Sequence, residues 1–343
     1  MANRKITKDV SDNVIAGAVL GNFYLNKLDR LLEWASKTTV KVMGSNNIPI
    51  NIGDNWYLLD TDITLSTAAD MDTGAISNGK DYYVYLCESA GSIVGKISLN
   101  STVPTGFATG TSRKIGGFHT LCVNVGTIGG HTLTGYLADE ILPQSVWDLK
   151  HRPVSEPEGM VYDSAINKWV DIYLTSGTGA LTASIYNATI SDSRNWMDFV
   201  DDFHTVKKRL LSDDEFQSMA AGSNEETNIL GSADPGITGG HSDTGRRRMI
   251  SNIGVEDCAG AMYQWLKTSS ANLGDGTAAG FYDLPGAKGS FYTYGTSKYG
   301  NVQLLAGGFW FNGTTNGSRC RGAFYPRWYS YTALGARGLA ESL

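Results

Sequence analysis

The amino-acid sequence predicts an α+β chain, with a first half of short antiparallel strands and a longer second part that mixes strands with a few helices. Three observations carry this expectation. The runs WYLLDTDITLS, DYYVYLCES, GSIVGKISLN and TLCVNVGTI follow one another from about Asn51, rich in β-branched and aromatic residues and separated by Gly, Asn and Ser. Glycine is abundant at 41 residues and tyrosine at 17, while charged residues make up only 18%, a composition of strands and tight turns rather than of a helical bundle. In the second half, NWMDFVDDFHTVKKRLLSDDEFQSMAAGS holds two blocks of apolar residues at helical spacing.

At 343 residues the chain is longer than one typical domain. Residues 1–48 form an N-terminal segment and a candidate trimerisation element. Within it the apolar residues Phe23, Leu25, Leu28, Leu31, Leu32 and Trp34 suit an amphipathic helix that must pack on a partner. Residues 49–150 read as a β-sandwich-like domain, and HRPVSEPEG, with Pro153 and Pro157, as the linker after it. Residues 151–343 form the mixed domain. There WVDIYLTSG reads as a strand, and Ser212 three residues before Glu215 as a capping box that opens a helix over Phe216 and Met219. GVEDCAGAMYQWLK reads as a further amphipathic helix, with Cys258, Met262 and Trp265 among its apolar positions. Short strands, SFYTYG and VQLLAGGFW, follow.

Composition excludes several functions. The formal charge is −6, without a long basic run, so no nucleic-acid partner is expected. Arg246, Arg247 and Arg248 lie beside Asp243 and are expected to pair with carboxylates. Neither a signal-peptide core nor a run of about 18 apolar residues is present, so no membrane insertion is expected. The histidines are scattered, and Cys87, Cys122, Cys258 and Cys320 form no metal-ligand spacing, so no metal and no cofactor are expected. GSADPGITGGHSDTG has the oxygen-rich composition of a calcium loop without its regular carboxylate spacing, and reads as a hydrogen-bonded turn. Asp198, Asp201 and Asp202 precede Lys207, Lys208 and Arg209, an order that suits a helix dipole better than a catalytic acid pair.

The stretch from Phe309 to Thr332 stands apart. Eight of the 36 aromatic residues of the chain fall between Phe309 and Tyr331, with no helical or strand period. Phe324–Tyr325 and Trp328–Tyr329 are adjacent pairs, and neighbours in a strand point to opposite faces. Exposed Tyr and Phe supply large contact area at low entropy cost, the composition of a binding surface. Composition alone is equally compatible with rings that fill a core.

The motifs in and around this stretch carry a resemblance. Gly307-Gly308-x-Trp310, Gly317-Ser318-Arg319-x-Arg321, Trp328 and Gly335-Ala336-Arg337-Gly338 occur in order at the C-terminus. Upstream lie GMVYD, WVDIYL, KKRLLSDDEF, GSNEETNI, GSADPGITGGHSDT, RRMISNIGVEDC and QWL, so the match runs from about Gly159 to the end. This ordered set resembles the variable proteins of diversity-generating retroelements, and its bacteriophage members in particular. The resemblance implies a C-type-lectin fold of the formylglycine-generating-enzyme subtype for residues 151–343. It further implies a virion tail-fibre tip protein, a homotrimer attached to other phage tail proteins, that binds a host cell-surface protein or glycan and is not an enzyme. In such proteins reverse transcription miscopies template adenines, chiefly in Asn codons, which cannot yield Lys, Glu, Gln, Met or Trp. From Phe309 to Thr332 there is no Lys, Glu, Gln or Met, and the only tryptophans are Trp310 and Trp328.

By position, the resemblance assigns a variable region at about 305–338. Its ligand-facing, replaceable residues would be Phe309, Phe311, Thr315, Cys320 and Gly322, followed by Phe324, Tyr325, Tyr329 and Tyr331. Trp310, Arg319, Arg321, Trp328 and Arg337 would be scaffold, packing and bonding carbonyls. A sandwich domain before the lectin domain fits residues 50–145, whereas the helical pattern of residues 14–36 departs from the β-rich start of the phage members. Two rival readings exist. A formylglycine-generating or sulfatase-modifying enzyme would need C-terminal cysteines, yet Gly338 follows Arg337 and the nearby thiol is Cys320. A bacterial variable ligand-binding protein would carry a signal peptide or lipid-attachment cysteine near its start.

Overall fold

The structure, a computed structural model, describes residues 4–5, 30–45, 48–272, 279–283, 286–293 and 300–343. It is mostly β, with few helices. The chain divides into two compact units, one of residues 1–121, 139–152 and 343, the other of residues 122–138 and 153–342. One border therefore falls between Arg152 and Pro153, inside HRPVSEPEG.

The first unit is a two-sheet structure. Among the described residues its strands are β1 (Arg4–Lys5), β2 (Leu32–Ser36), β3 (Thr39–Val42), β4 (Ile48–Ile52), β5 (Asn55–Leu59), β6 (Ile63–Ser66), β7 (Asp81–Ser89), β8 (Ser92–Ser98), β9 (Ser112–His119) and β10 (Trp147–Asp148). They form one sheet in the order β10-β9-β7-β8-β1-β5-β4 and a smaller one in the order β2-β3-β6. β7 and β8 are joined by a two-residue hairpin at Ala90 and Gly91, both with positive φ, the turn whose twist suits antiparallel strands. Leu32, Val40, Val42 and Leu65 from the small sheet share a core with Ile50, Tyr57, Val84, Leu86 and Ile115 from the large one. Full burial of each such side chain contributes about 1.5–3 kcal/mol.

The structure corrects the helical reading at the start of this unit. Leu32–Ser36 is a strand, paired antiparallel with β3 through Leu32↔Val42 and Trp34↔Val40. The buried Asp148 carboxylate accepts the Leu31 and Leu32 N–H groups at 2.8 and 3.1 Å, bonds that draw the backbone out of a helix. Residues 14–29 of the expected helix lie outside the described residues.

The second unit carries two sheets and two helices among its described residues. β11 (Met160–Asp163), β12 (Lys168–Asp171), β20 (Gly338–Glu341) and β13 (Arg209–Leu210) form an antiparallel sheet in that order, so the C-terminal strand closes on the unit's beginning. The other sheet runs β15 (Gly280–Asp283), β16 (Ser290–Thr293), β18 (Arg321–Ala323), β17 (Gly300–Ala306), β14 (Tyr263–Asn272) and β19 (Leu334–Gly335). Helix α1 spans Trp196–Thr205, capped by Asn195, whose side chain accepts the Met197 and Asp198 N–H groups at 2.9 and 3.1 Å. Helix α2 spans Asp213–Met219, and Glu215 accepts the Ser212 N–H at 2.8 Å, the expected half of a capping box. Burial opposes ionisation of Glu215, but Arg209 at 2.6 Å and the Ser212 N–H outweigh it and hold the carboxyl down at about 2. Phe199, Phe203, Phe216 and Met219 turn into the interior.

GVEDCAGAMYQWLK is not a helix. Its second half enters β14, which lies between β17 and β19 in its sheet, and Ala261 to Leu266 are all buried. With every side chain inside, apolar period cannot separate strand from helix. Arg248 does pair with a carboxylate, but with Glu256, both nitrogen–oxygen distances being 2.7 Å, rather than with Asp243. Asp243 instead accepts the Arg247 N–H at 2.9 Å and the Thr227 hydroxyl at 2.8 Å, and Asp234 the Gly236 N–H at 3.0 Å, all turn-forming bonds.

Candidate functional site

Between β17 and β19 the chain makes a long excursion, residues 307–333, in which β18 is a short strand. Both ends are anchored. At the entry Gly307 has φ 86°, and a Cβ there would strike the Cys258 carbonyl oxygen, so only glycine permits the approach. Its N–H donates to Cys320 O at 3.0 Å, and its carbonyl accepts the Gly260 N–H at 3.1 Å. Trp310, half-buried, wedges between two apolar clusters, one containing Leu174 and Met262 and the other Ile229 and Met249. Its N–H donates to Ala261 O at 3.1 Å, and its carbonyl accepts from the Asn228 amide.

At the exit Arg337 is buried, and burial lowers its pKa. Nη1 donates to the Asp171 and Ile172 carbonyls at 2.9 and 2.6 Å, Nη2 to Glu256 O at 2.5 Å and Nε to Gln264 Oε1 at 3.2 Å. In the middle, Arg321 bonds the Ser318 and Cys320 carbonyls at 2.9 and 3.0 Å, ion-pairs with Asp213 and lies over the Phe216 ring. The Glu225 carboxylate accepts the Ser318 N–H and hydroxyl at 2.8 and 2.6 Å and pairs with Lys288 at 3.1 Å.

Within this frame lies a cleft of about 220 Å³. Its base is Tyr263, 4% exposed, with Ala333 and Leu334 beside it. Its walls are aromatic: Phe309 and Phe324 against Tyr263 at centroid distances of 5.6 and 5.7 Å, Tyr292 on Phe324 at 5.0 Å, Phe281 on Tyr292 at 4.8 Å. Tyr325 and Tyr331 complete the lining. Among the described lining residues Asn312 supplies the amide, its Nδ2 donating to the Tyr263 hydroxyl at 2.9 Å. Burial raises the Tyr263 phenol far above its ordinary range, so it stays protonated. Outside the cleft Phe311 is 77% exposed and Trp328 is exposed too, and at the cleft's rim so is Tyr331.

The residues expected to face a ligand divide accordingly. Phe309, Phe324, Tyr325 and Tyr331 line the cleft. Phe311 projects into solvent, and Tyr329 stacks on Tyr325 at 3.9 Å. Thr315 is half-buried, its hydroxyl donating to Asn312 O at 2.8 Å. Two positions need correction. Cys320 is fully buried, its Sγ 4.0 Å from the Tyr263 hydroxyl, and burial pushes its thiol up to about 11. A thiol so placed is neither a surface residue nor a nucleophile. Gly322 is buried in β18, and a Cβ there would collide with the Phe324 ring.

Two of the expected scaffold positions lie at the surface. Trp328 is 65% exposed in a turn. That turn is held by its neighbour Arg327, whose guanidinium lies 5.0 Å over the Trp196 ring and whose carbonyl accepts the Trp196 N–H at 3.1 Å. Arg319 is exposed, and its backbone N–H joins the frame by donating to Lys288 O at 2.8 Å. Tyr263, Phe281, Tyr292 and Asn312 are cleft residues that the sequence did not single out. The aromatic runs FYD and SFYTYG are visible signals, but nothing in one sequence shows that a hairpin upstream faces the C-terminal excursion.

Gly322→Ala is therefore expected to displace Phe324 and to cost about 1–3 kcal/mol by overpacking. Denaturant unfolding of the variant checks this; unchanged stability would show that the ring gives way freely.

A family model described as the Mtd second domain matches residues 32–148. The tail fiber receptor-binding protein of Bordetella phage BPP-1 is 29% identical over an alignment that covers 100% of this chain and 94% of that protein. The solved structure of the Major Tropism Determinant P3c Variant matches with a TM-score of 0.72 and 26% identity, over 93% of this chain and 85% of that one. The M1 Variant matches with a TM-score of 0.72 and 25% identity, over 100% and 86%. Shared fold, shared second domain and end-to-end alignment make this chain a tropism-determinant-like protein.

Proposed function

We propose that the protein is a phage tail receptor-binding protein that attaches the virion to its host through the aromatic face of residues 307–333. The observation that carries this reading is the juxtaposition of exposed rings, Phe311, Trp328 and Tyr331, with an aromatic cleft, all on an excursion anchored by buried hydrogen bonds at both ends. Large rings left in water are costly unless a partner covers them, and rings on a rigid frame lose little entropy when it does. The relative named as a tail fiber receptor-binding protein supports the same assignment. The proposed partner is a host cell-surface protein or glycan, and the proposed location is the tail-fibre tip. Association as a homotrimer, with the segment before residue 49 contributing, would let weak single-site contacts add as avidity.

The proposed contact residues are Phe309, Phe311, Thr315, Tyr325, Tyr329 and Tyr331, with Phe324 as a cleft wall; Cys320 and Gly322 drop out because they are buried. The chemistry of the site is non-covalent. Cys320, the thiol that a sulfatase-modifying reading would need, is protonated and enclosed.

Virions carrying Phe311→Ala or Tyr331→Ala are expected to adsorb to the host about tenfold less or worse, as contact hot spots do, with the melting temperature of the protein unchanged. Lost stability with normal adsorption would make these rings part of the fold. Diversification by a retroelement is part of the proposal. It predicts, beside a reverse transcriptase gene, a near-copy of the DNA for residues 305–338 that differs only at adenines; sequencing the flanking genome checks it, and a flank without such a copy removes diversification but not binding.

A further inference from the structure

The geometry points to the cleft above Tyr263 as a socket for a single aromatic side chain with a polar tip, tyrosine or tryptophan, projecting from a host surface protein, an assignment that rests on the receptor-binding reading. The cleft's volume of about 220 Å³ is below the roughly 300–1,000 Å³ of clefts that enclose drug-sized molecules. It therefore admits one side chain of a larger partner. Rings surround the space, and no charged side chain is among its described lining residues, an environment that favours another ring edge-to-face.

The polar chemistry selects further. Asn312 commits Nδ2 to the Tyr263 hydroxyl at 2.9 Å, and the other branch of the same half-exposed amide, Oδ1, is an acceptor for an incoming donor. A phenol O–H or an indole N–H supplies one donor on an apolar body, which is what this lining can satisfy. A hexose brings several hydroxyls, and each one buried against rings without a partner costs free energy. A leucine fills space but forms no ring–ring contacts.

The socket is also built from two parts of the chain. Phe309, Asn312, Tyr325 and Tyr331 belong to the C-terminal excursion, whereas Phe281 and Tyr292 stand on the β15–β16 hairpin outside residues 305–338. Phe281, 40% exposed and 4.8 Å from Tyr292, is a wall that changes in the excursion would leave in place. The preference for an aromatic side chain thus persists while the surrounding rim changes, and Phe281 is a specificity-determining residue.

The test titrates the full chain with N-acetyl-tyrosinamide, N-acetyl-tryptophanamide, N-acetyl-phenylalaninamide, N-acetyl-leucinamide and methyl α-D-glucopyranoside, followed by ligand-observed NMR. The tyrosine and tryptophan probes are expected to bind tightest, with Kd in the millimolar range of small fragments. Phe281→Ala should weaken both about fivefold. Asn312→Ala should weaken both about fivefold while leaving the phenylalanine probe within about twofold, a split that general loosening of the site would not give. Tighter binding of the sugar or the leucine probe, equal loss of all probes in Asn312→Ala, or no binding of any probe would overturn the socket. Adsorption of virions separates the two levels. If Phe311→Ala abolishes attachment and Phe281→Ala does not, the receptor-binding face stands and the socket falls; if neither matters, the face itself falls.

Discussion

Arg337 brings a guanidinium into a place from which water is excluded, and the second unit is arranged around satisfying it. Its N–H donors reach carbonyls at the end of β12 and before β14, and the side chain of Gln264 in β14. The next residue, Gly338, donates its N–H to the Asp171 carboxylate at 3.0 Å, and Asp171 in turn pairs with Lys208 at 2.6 Å. One arginine thus ties the C-terminal strand to segments that are remote in sequence. Truncating one member of such a buried set leaves the others uncompensated, at a cost of about 3–5 kcal/mol. A lysine could not replace it, because only the planar fork reaches carbonyls in several directions.

That anchor is what allows the preceding excursion to be irregular. Residues 307–333 contain little regular structure, and many of their backbone groups are satisfied by Arg321, Glu225, Asn228 and Asn316 rather than by a ladder. The hydrogen-bonding work rests on side chains beneath the surface. Phe311 and Tyr331 stand outside that frame, so they can change without unpicking it. Anchoring and exposure are thereby assigned to different residues of one segment, which is the physical requirement of the binding surface proposed above.

The legibility of this arrangement in the sequence is uneven. Helix α2 announces itself through Ser212 and Glu215, because a cap is local chemistry that tertiary contacts seldom override. The strands from Trp56 to His119 are visible as β-branched and aromatic runs cut by Gly, Asn and Ser turns, and those turns mark even β7, whose residues Tyr82 to Cys87 are all buried. β14 is not, because Ala261 to Leu266 are buried on every side and carry no period. Leu32–Ser36 reads as helix for another reason: what makes it a strand is pairing with β3 and, at its start, the Asp148 carboxylate more than a hundred residues away, neither of which its own apolar spacing records. At the site, motif positions separate anchors such as Arg337 from rings such as Phe311, but cannot tell a replaceable surface position from an enclosed one. Cys320 and Gly322 sit between fixed residues just as exposed positions would, and only the third dimension places Tyr263 and Phe324 against them. Trp328 shows the converse, a motif residue that is largely exposed, beside Arg327, whose guanidinium packs on the Trp196 ring.

The central claim is that the aromatic face of the excursion is the surface that meets the host. Hydroxyl-radical footprinting of intact virions, free and adsorbed to host cells, reads it directly, because aromatic side chains report their own exposure. The account predicts that Phe311, Tyr331 and Phe281 lose reactivity on adsorption, while Trp34 and Trp56, exposed on the first unit, keep theirs. Protection of Trp34 and Trp56 with Phe311 and Tyr331 unchanged would contradict it and place recognition on the sandwich instead.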